Sequence, residues 1–150
     1  MRPHIHSTEP TLSANQLNDV ESRLGLKLPT PYREFLLRHN GGQPTPDKFV
    51  PEDHASPEVL AWFMAVNDRD DGLVALARSY RPHLHRDLLP IASDPFGNLI
   101  CLGVQGDHTG QVFFWLHEGG SPPQTPLPNE DCRCVAASFN AFMASFVKAA

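Results

Sequence analysis

The sequence predicts an α+β fold: a single domain of 150 residues with one mainly antiparallel, twisted sheet and helices packed on it. Three observations support this class. The first forty residues carry apolar residues at helical spacing, and the second half carries short apolar runs separated by turn residues. Segment 137–148 then returns to helical spacing. Residues 1–11 lack either pattern and are expected to form a loose N-terminal tail.

The first predicted helix runs from Ser13 to Leu24. Ser13 and Gln16 match the capping-box pattern, in which each side chain bonds the other residue's backbone amide. Leu17 and Val20 share one face of this helix with its last residue, and Gly25 follows as a stop.

A second helix is predicted from Pro31 to His39. Thr30 is a good N-cap residue, and a proline is well tolerated at the first helical position because no amide donor is needed there. Tyr32 and Phe35 lie on one face. Residues 40–42, Asn-Gly-Gly, supply the left-handed conformations that commonly end a helix.

The middle of the chain is less regular. Residues 43–57 are rich in Pro, Asp and Thr, which indicates a loop with at most a short edge strand at Lys48–Val50. Residues 59–66, VLAWFMAV, fit either a buried strand or a helix starting at Ser56. A helix is expected from Asp71 to Tyr80, which ends before Pro82.

The second half predicts an antiparallel meander and a closing helix. The strands are Leu88–Ala92, Leu99–Val104 and Val112–His117, and the helix is Ala137–Lys148, with Phe139, Phe142, Met143 and Phe146 in its apolar stripe. In the third strand both faces carry bulky apolar side chains. One face is expected to pack on the helices, and the other needs a cover or a partner.

Four segments in matching order resemble one family. They are LPTPYREFLLRHNGG (28–42), DPFGNLICLG (94–103), GQVFFWLHE (110–118) and SFNAFMASF (138–146). Together they resemble the Smi/Knr-type, cell-wall-assembly-regulator-like branch of the SUKH superfamily. The resemblance implies a strand at 59–66 and a structural role for thirteen signature residues. These are Leu28, Pro29, Tyr32, Phe35, Asn40, Gly41, Gly42, Gly97, Asn98, Trp115, Ser138, Phe139 and Phe142. The long segment 43–57 and the additional Phe96 depart from the family pattern.

The same resemblance implies a protein-binding function. It implies that many bacterial members are immunity proteins, which bind and neutralise a polymorphic, contact-dependent toxin, and that fungal relatives are regulatory scaffolds. We therefore expect an immunity protein, with a regulatory scaffold of a cell-wall or signalling pathway as the alternative. A small-ligand-binding domain or enzyme using a histidine-rich cleft is the third possibility.

Charge favours a basic protein partner over nucleic acid. The formal net charge is -5, and the 12 Lys and Arg residues are scattered, whereas nucleic-acid binding requires clustered positive charge. Asp68, Asp70 and Asp71 form an acidic group at a predicted loop. Together with Asp107 and Glu118 they are the expected partner-binding residues. The carboxylates at 70 and 71 also fit a helix start, where they complement the helix dipole.

The termini and the cysteines indicate a cytoplasmic chain. No secretory signal follows Met1, and no apolar run reaches the length of about 18 residues that a membrane span needs. Cys101, Cys132 and Cys134 form an odd set without a disulfide framework, which fits a reducing compartment.

No metal, cofactor or catalytic residue is predicted. The pairs His4/His6, His83/His85 and Cys132/Cys134 each offer two ligands, whereas a structural zinc site needs four. Asp68–Gly72 lacks the alternating oxygen spacing of a calcium loop.

His117–Ser121 contains a base, an acid and a hydroxyl, but no nucleophile elbow exposes the serine. We therefore expect a non-enzyme. Trp62 and Trp115 are expected in the core, the alternative being that one of them anchors an interface.

Overall fold

The computed structural model describes residues 1–53 and 56–148. Within these residues the helices are α1 (Ala14–Leu24), α2 (Thr30–Arg38), α3 (Leu73–Tyr80) and α4 (Phe139–Ala144). The strands are β1 (His4–His6), β2 (Gln43–Thr45), β3 (Lys48–Phe49), β4 (Glu58–Val59), β5 (Trp62–Phe63), β6 (Leu88–Ser93), β7 (Leu99–Gly103), β8 (Val112–Trp115), β9 (Cys132–Ala136) and β10 (Phe146–Val147).

The strands form three antiparallel sheets. The main sheet has five strands in the order β5-β6-β7-β8-β9; a three-stranded sheet has the order β10-β3-β4, and β1 pairs with β2. The predicted α+β class with a mainly antiparallel sheet is therefore confirmed. Across the described residues, no helix combines the length and the apolar character needed to cross a membrane.

Helix α1 forms as predicted. The Ser13 hydroxyl accepts a hydrogen bond from the Gln16 amide at 3.1 Å, and the Gln16 side chain accepts one from the Ser13 amide at 2.8 Å. Leu17, Val20 and Leu24 are buried, and Gly25 closes the helix with φ 71°. This capping box fixes the start of the helix.

The ends of α2 differ from the prediction. Thr30 is already helical, and Pro29 is the N-cap residue without a side-chain hydrogen bond. The C-cap is His39 in an extended conformation, so residues 40–42 do not terminate the helix. Instead the backbone of Gly42 exchanges two hydrogen bonds with Phe63, at 3.1 and 2.7 Å. The Asn-Gly-Gly segment therefore docks beside β5.

Glycine is required at two positions in that segment. A Cβ atom at Gly41 would lie 2.8 Å from the backbone of Ala65, and one at Gly42 would lie 2.4 Å from the carbonyl of His6. Their φ angles of 69° and 127° also disfavour other residues. Close backbone approach on both sides explains this pair.

Three expected segments are corrected. Residues 1–11 are not a loose tail, because His4–His6 pairs with Gln43–Thr45 and Ile5 is buried. The strand expected over 59–66 is split into β4 and β5, which belong to different sheets. β3 is the central strand of its sheet instead of an edge strand, and residues 54 and 55 of the predicted 43–57 loop lie outside the described residues.

The predicted helix 137–148 is also too long. α4 ends at Ala144, and Phe146–Val147 forms a strand that pairs with β3. Strand β9, which completes the main sheet, was not predicted, because Cys132–Ala136 is flanked by proline-rich sequence and carries a charged residue. The four aromatic and methionine residues of the predicted stripe are nevertheless all buried.

Both faces of the main sheet are covered by the chain itself. On one face the Phe114 ring lies 6.4 Å from Phe49 and receives the Arg133 guanidinium at 5.6 Å. On the other face Phe113 packs against His108 at 5.6 Å, and Trp115 packs against Tyr80 at 5.9 Å. The second sheet face, which was expected to need a cover or a partner, is therefore covered by the chain itself.

Candidate protein-interaction surfaces

The acidic loop of residues 68–71 connects β5 to α3. Asp68, Asp70 and Asp71 are all exposed. Arg69 lies among them, forms an ion pair with Glu9, and places its Nε atom 3.4 Å from a carboxylate oxygen of Asp71. The prediction overlooked this arginine, which offsets part of the negative charge of the loop.

The acidic residues of the 68–71 loop lie outside helix α3. α3 begins at Leu73 with Gly72 as its N-cap, and its first turn contains no acidic residue. Asp70 and Asp71 precede the cap, so the predicted placement at the first turn of the helix is wrong. Asn67 holds the loop through its Oδ1 atom, which accepts from the Arg69 amide at 2.8 Å.

The five predicted partner-binding acids do not form one patch. Leu102 pairs with Val112 at one end of the β7–β8 hairpin, and Leu99 pairs with Trp115 at the other. Asp107 lies in the 3₁₀ turn that follows the first end, whereas Glu118 lies beyond the second. Asp107 and Glu118 therefore occupy opposite ends of the sheet.

Four of the five aromatic signature residues lie in the core, and the fifth, Trp115, is half-buried. The Tyr32 and Phe35 rings pack edge-on against Phe139, each at 5.5 Å, and Phe142 lies 4.9 Å from Phe49. Leu28 is also buried. These residues join α2, α4 and the three-stranded sheet.

The polar signature residues fix chain ends and turns. The Ser138 hydroxyl caps α4 by accepting from the Ala141 amide at 3.0 Å. Asn98 donates to Asp94 Oδ2 at 2.8 Å and accepts from the His117 amide at 3.1 Å, and Gly97 has φ 91°. These contacts set the turn between β6 and β7.

A group of ionisable residues lies at the start of β6. The His85 Nδ1 atom accepts a hydrogen bond from the Asp87 amide at 3.1 Å, and the His85 and His108 rings are 5.9 Å apart. Among residues 1–53 and 56–148, no three His, Cys, Asp or Glu side chains are close enough together to hold a metal ion. His85 and His108 instead pack against neighbouring side chains.

Two of the three cysteines, Cys101 and Cys132, are buried in the core. All three are free. Burial raises the pKa of Cys132 to about 12 and raises that of Cys101 well above its ordinary value. Both thiols therefore stay protonated at neutral pH.

A basic groove lies between the end of α1, α3 and the start of β6. Its volume is about 440 Å³, and Arg81, His85 and Arg86 line it. Arg81 donates to the Leu24 carbonyl at 3.4 Å, and Arg78 donates to the Arg23 carbonyl at 3.3 Å. These arginines complement the negative end of the α1 dipole. The groove therefore differs in charge from the acidic loops.

One feature of the surface escaped the prediction. Phe96 is 76% exposed and Trp62 is 44% exposed, so the expectation that Trp62 lies in the core is wrong. Trp115 is half-buried. The sequence between Asp87 and Cys132 contains no Lys or Arg. This feature could have predicted that the corresponding part of the sheet is acidic.

Comparison with known proteins identifies the family. Residues 11–145 match the model of the SMI1 / KNR4 family (SUKH-1). The SPbeta prophage-derived uncharacterized protein YokK of Bacillus subtilis (strain 168) is 26% identical over 156 aligned positions, which cover 92% of this chain and 77% of that protein. The uncharacterized protein YnaB of the same strain is 43% identical over 37 residues, or 25% of each chain. The chain therefore belongs to the SMI1/KNR4 family (SUKH-1).

Proposed function

We propose that this chain is a non-enzymatic immunity protein that binds and neutralises a polymorphic bacterial toxin of the contact-dependent type. The observation that carries the proposal is the family match over residues 11–145, because the SUKH resemblance implies this role for many bacterial members. The proposal involves no cofactor, no nucleic acid and no membrane, and it places the chain in the cytoplasm.

The proposed partner is a basic toxin domain. Exposed carboxylates lie at both ends of the main sheet, Asp107 at one and Glu118 at the other. Opposite charges accelerate the encounter of two proteins. A basic surface is typical of toxins that cleave nucleic acid, because they must approach phosphate groups. Charge thus supports a nuclease-type toxin as the target.

Co-expression tests the proposal directly. A toxin domain encoded beside this gene would be induced in a bacterial host with and without this chain, and growth would be followed. We expect the chain to restore growth against that toxin and not against an unrelated toxin domain produced in the same way. Growth arrest despite abundant, folded chain would contradict the immunity role.

Stoichiometry separates binding from enzymatic inactivation. Purified chain would be titrated into a fixed amount of active toxin, and residual toxin activity would be measured. A binding module inhibits in proportion to its molar ratio and reaches completion near equivalence. Inactivation of a large toxin excess by a trace of chain would show catalysis and refute the non-enzymatic proposal.

The scaffold alternative has its own signature. A regulatory domain would bind host pathway proteins and leave the neighbouring toxin unaffected. Affinity purification from cells that lack the toxin would then recover the same host protein repeatedly. Loss of that complex on adding toxin would instead support the immunity role.

A further inference from the structure

One end of the main sheet presents large apolar side chains to solvent. This end, called the hairpin end, is the end at which β6 turns into β7 and β8 leaves the sheet. One transverse row marks it: Trp62 pairs with Ser93, Ser93 with Leu99, and Leu99 with Trp115. Trp62 and the residues just beyond this row form the surface.

Three exposed residues define its apolar part. Trp62 on β5 is 44% exposed, Phe96 in the β6–β7 turn is 76% exposed, and Leu116 after β8 is 40% exposed. β5 and β8 are three strand spacings apart, about 14 Å, which is within the width of an ordinary protein interface. The other large apolar side chains of the main sheet's five strands are buried, except Trp115, which is half-buried.

The turn that carries Phe96 is fixed by hydrogen bonds. The buried Asp94 carboxylate accepts from the amides of Phe96 and Asn98, each at 2.8 Å. The Asn98 side chain then links the turn to the His117 amide on the neighbouring strand. The backbone of the turn is therefore ordered before any partner arrives, which lowers the backbone entropy lost on binding.

The surroundings of this surface are acidic. Four carboxylates lie at or next to this end, and no Lys or Arg lies between Asp87 and Cys132 in the sequence. The four are Asp94, Glu118, Glu130 and Asp131. Glu118 and Glu130 are exposed near Leu116, whose amide donates to the Asp131 carbonyl at 2.8 Å. By contrast, Arg69 offsets the charge of the 68–71 loop.

We propose that the hairpin end is the docking surface for a basic protein partner. The partner packs apolar side chains against Trp62, Phe96 and Leu116, and its Lys or Arg residues face Glu118 and Glu130. The occupant is inferred from charge complementarity, because an apolar centre with an acidic border fits an apolar anchor with a basic border. The inference rests on the proposed protein-binding function and names its surface.

A displayed library of random dodecapeptides tests the surface without a known partner. Peptides would be selected on the full-length chain, and their affinities would be measured for wild type and for Phe96→Ala. We expect enriched peptides that combine Lys or Arg with an aromatic or leucine residue, and at least about tenfold weaker binding to Phe96→Ala. Val147→Ala is the matched control, because Val147 is also exposed but belongs to the three-stranded sheet.

The inference is overturned if no peptides are enriched, or if the enriched peptides bind Phe96→Ala as tightly as wild type. It is also overturned if the enriched peptides are acidic and their binding is lost in Arg81→Ala, a variant of the basic groove. Circular dichroism and thermal unfolding would show that each variant is folded. The toxin experiment then separates the two proposals. If Phe96→Ala restores growth as completely as wild type, the hairpin end is not the docking surface, but the immunity function stands. If wild type does not restore growth, the immunity function is refuted, and the peptide selection alone decides whether the hairpin end is a docking surface.

Discussion

The side chain of Asn40 pairs with the backbone of Val66 as a neighbouring strand would. Its Oδ1 atom accepts from the Val66 amide at 2.7 Å, and its Nδ2 atom donates to the Val66 carbonyl at 3.0 Å. Nδ2 also donates to the Pro10 carbonyl at 3.0 Å, and Asn40 is buried. One amide therefore ties the end of α2, the N-terminal segment and the chain leaving β5.

Asn40→Asp should disrupt this connection at nearly constant volume. The carboxylate cannot donate to the two carbonyls, and a buried charge without a partner is costly. We expect a loss of about 3 kcal/mol in the free energy of unfolding, measured by urea denaturation. Asn140→Asp, at an exposed position, is the control. A loss below about 1 kcal/mol would show that Asn40 is not structurally important.

Tyr32→Phe should leave stability unchanged or raise it. The Tyr32 hydroxyl is buried and has no hydrogen-bond partner among the described residues, and its burial raises the pKa of the phenol. Removing an unpaired buried hydroxyl removes its desolvation cost, so we expect a gain of up to about 1 kcal/mol. Ser93→Ala should behave similarly, since the Ser93 hydroxyl is also buried and unpaired in the described part of the chain. Thermal unfolding checks both, and a clear loss in Tyr32→Phe would reveal a hidden partner.

Phe35→Ala and Phe139→Ala should each cost about 3 to 5 kcal/mol in unfolding free energy. Both rings are buried, and they touch each other at 5.5 Å where α2 meets α4. Because the residues are in contact, the double variant should lose less than the sum of the two single losses. Chemical denaturation that gives less than about 1 kcal/mol for both would contradict the described core.

Stability should fall on acidification partly through His39. Burial, then His4 and Arg38, lower the pKa of His39 from its ordinary value of 6.5. The unfolded chain therefore binds this proton more readily than the folded one, so the stabilising contribution is full above pH 6.5 and is lost as the pH falls toward the lower folded pKa. His39→Gln should flatten the decline in Tm between about pH 7 and pH 5. If the Tm of His39→Gln declines with pH as steeply as that of wild type and of the control His83→Gln, His39 makes no such contribution.

Local signals predicted the fold where short-range chemistry decides it. Ser13 and Gln16 carry their own cap, and the turn residues at 94–98 lie between two apolar runs, so α1 and the β6–β7 hairpin were predictable. The role of Gly41 was not, because it depends on the approach of Ala65, which is distant in sequence. Phe146 shows the same limit: its spacing fits a helix, but pairing with Phe49 makes it a strand residue.

The two candidate interaction surfaces, the 68–71 loop and the hairpin end, were predictable only in part. Sequence spacing grouped Asp68, Asp70 and Asp71 correctly as exposed carboxylates. It could not show that Arg69 pairs with Glu9, or that Phe96 and Trp62 lie at the same end of one sheet. Those relations arise from tertiary contacts and strand register, which no local pattern contains.

The proposed immunity role is tested most sharply by the rate at which the chain associates with the toxin domain encoded beside it. If the chain is an acidic immunity protein, association should be fast at low salt and should slow steeply as salt is added. Reversing Asp68, Asp70 and Asp71 to Lys should slow association more than it speeds dissociation, because exposed charges act mainly on encounter. Reversing Glu118 and Glu130 to Lys should slow association and also speed dissociation. A salt-independent rate that neither set of reversals changes, or no binding at all, would contradict the account.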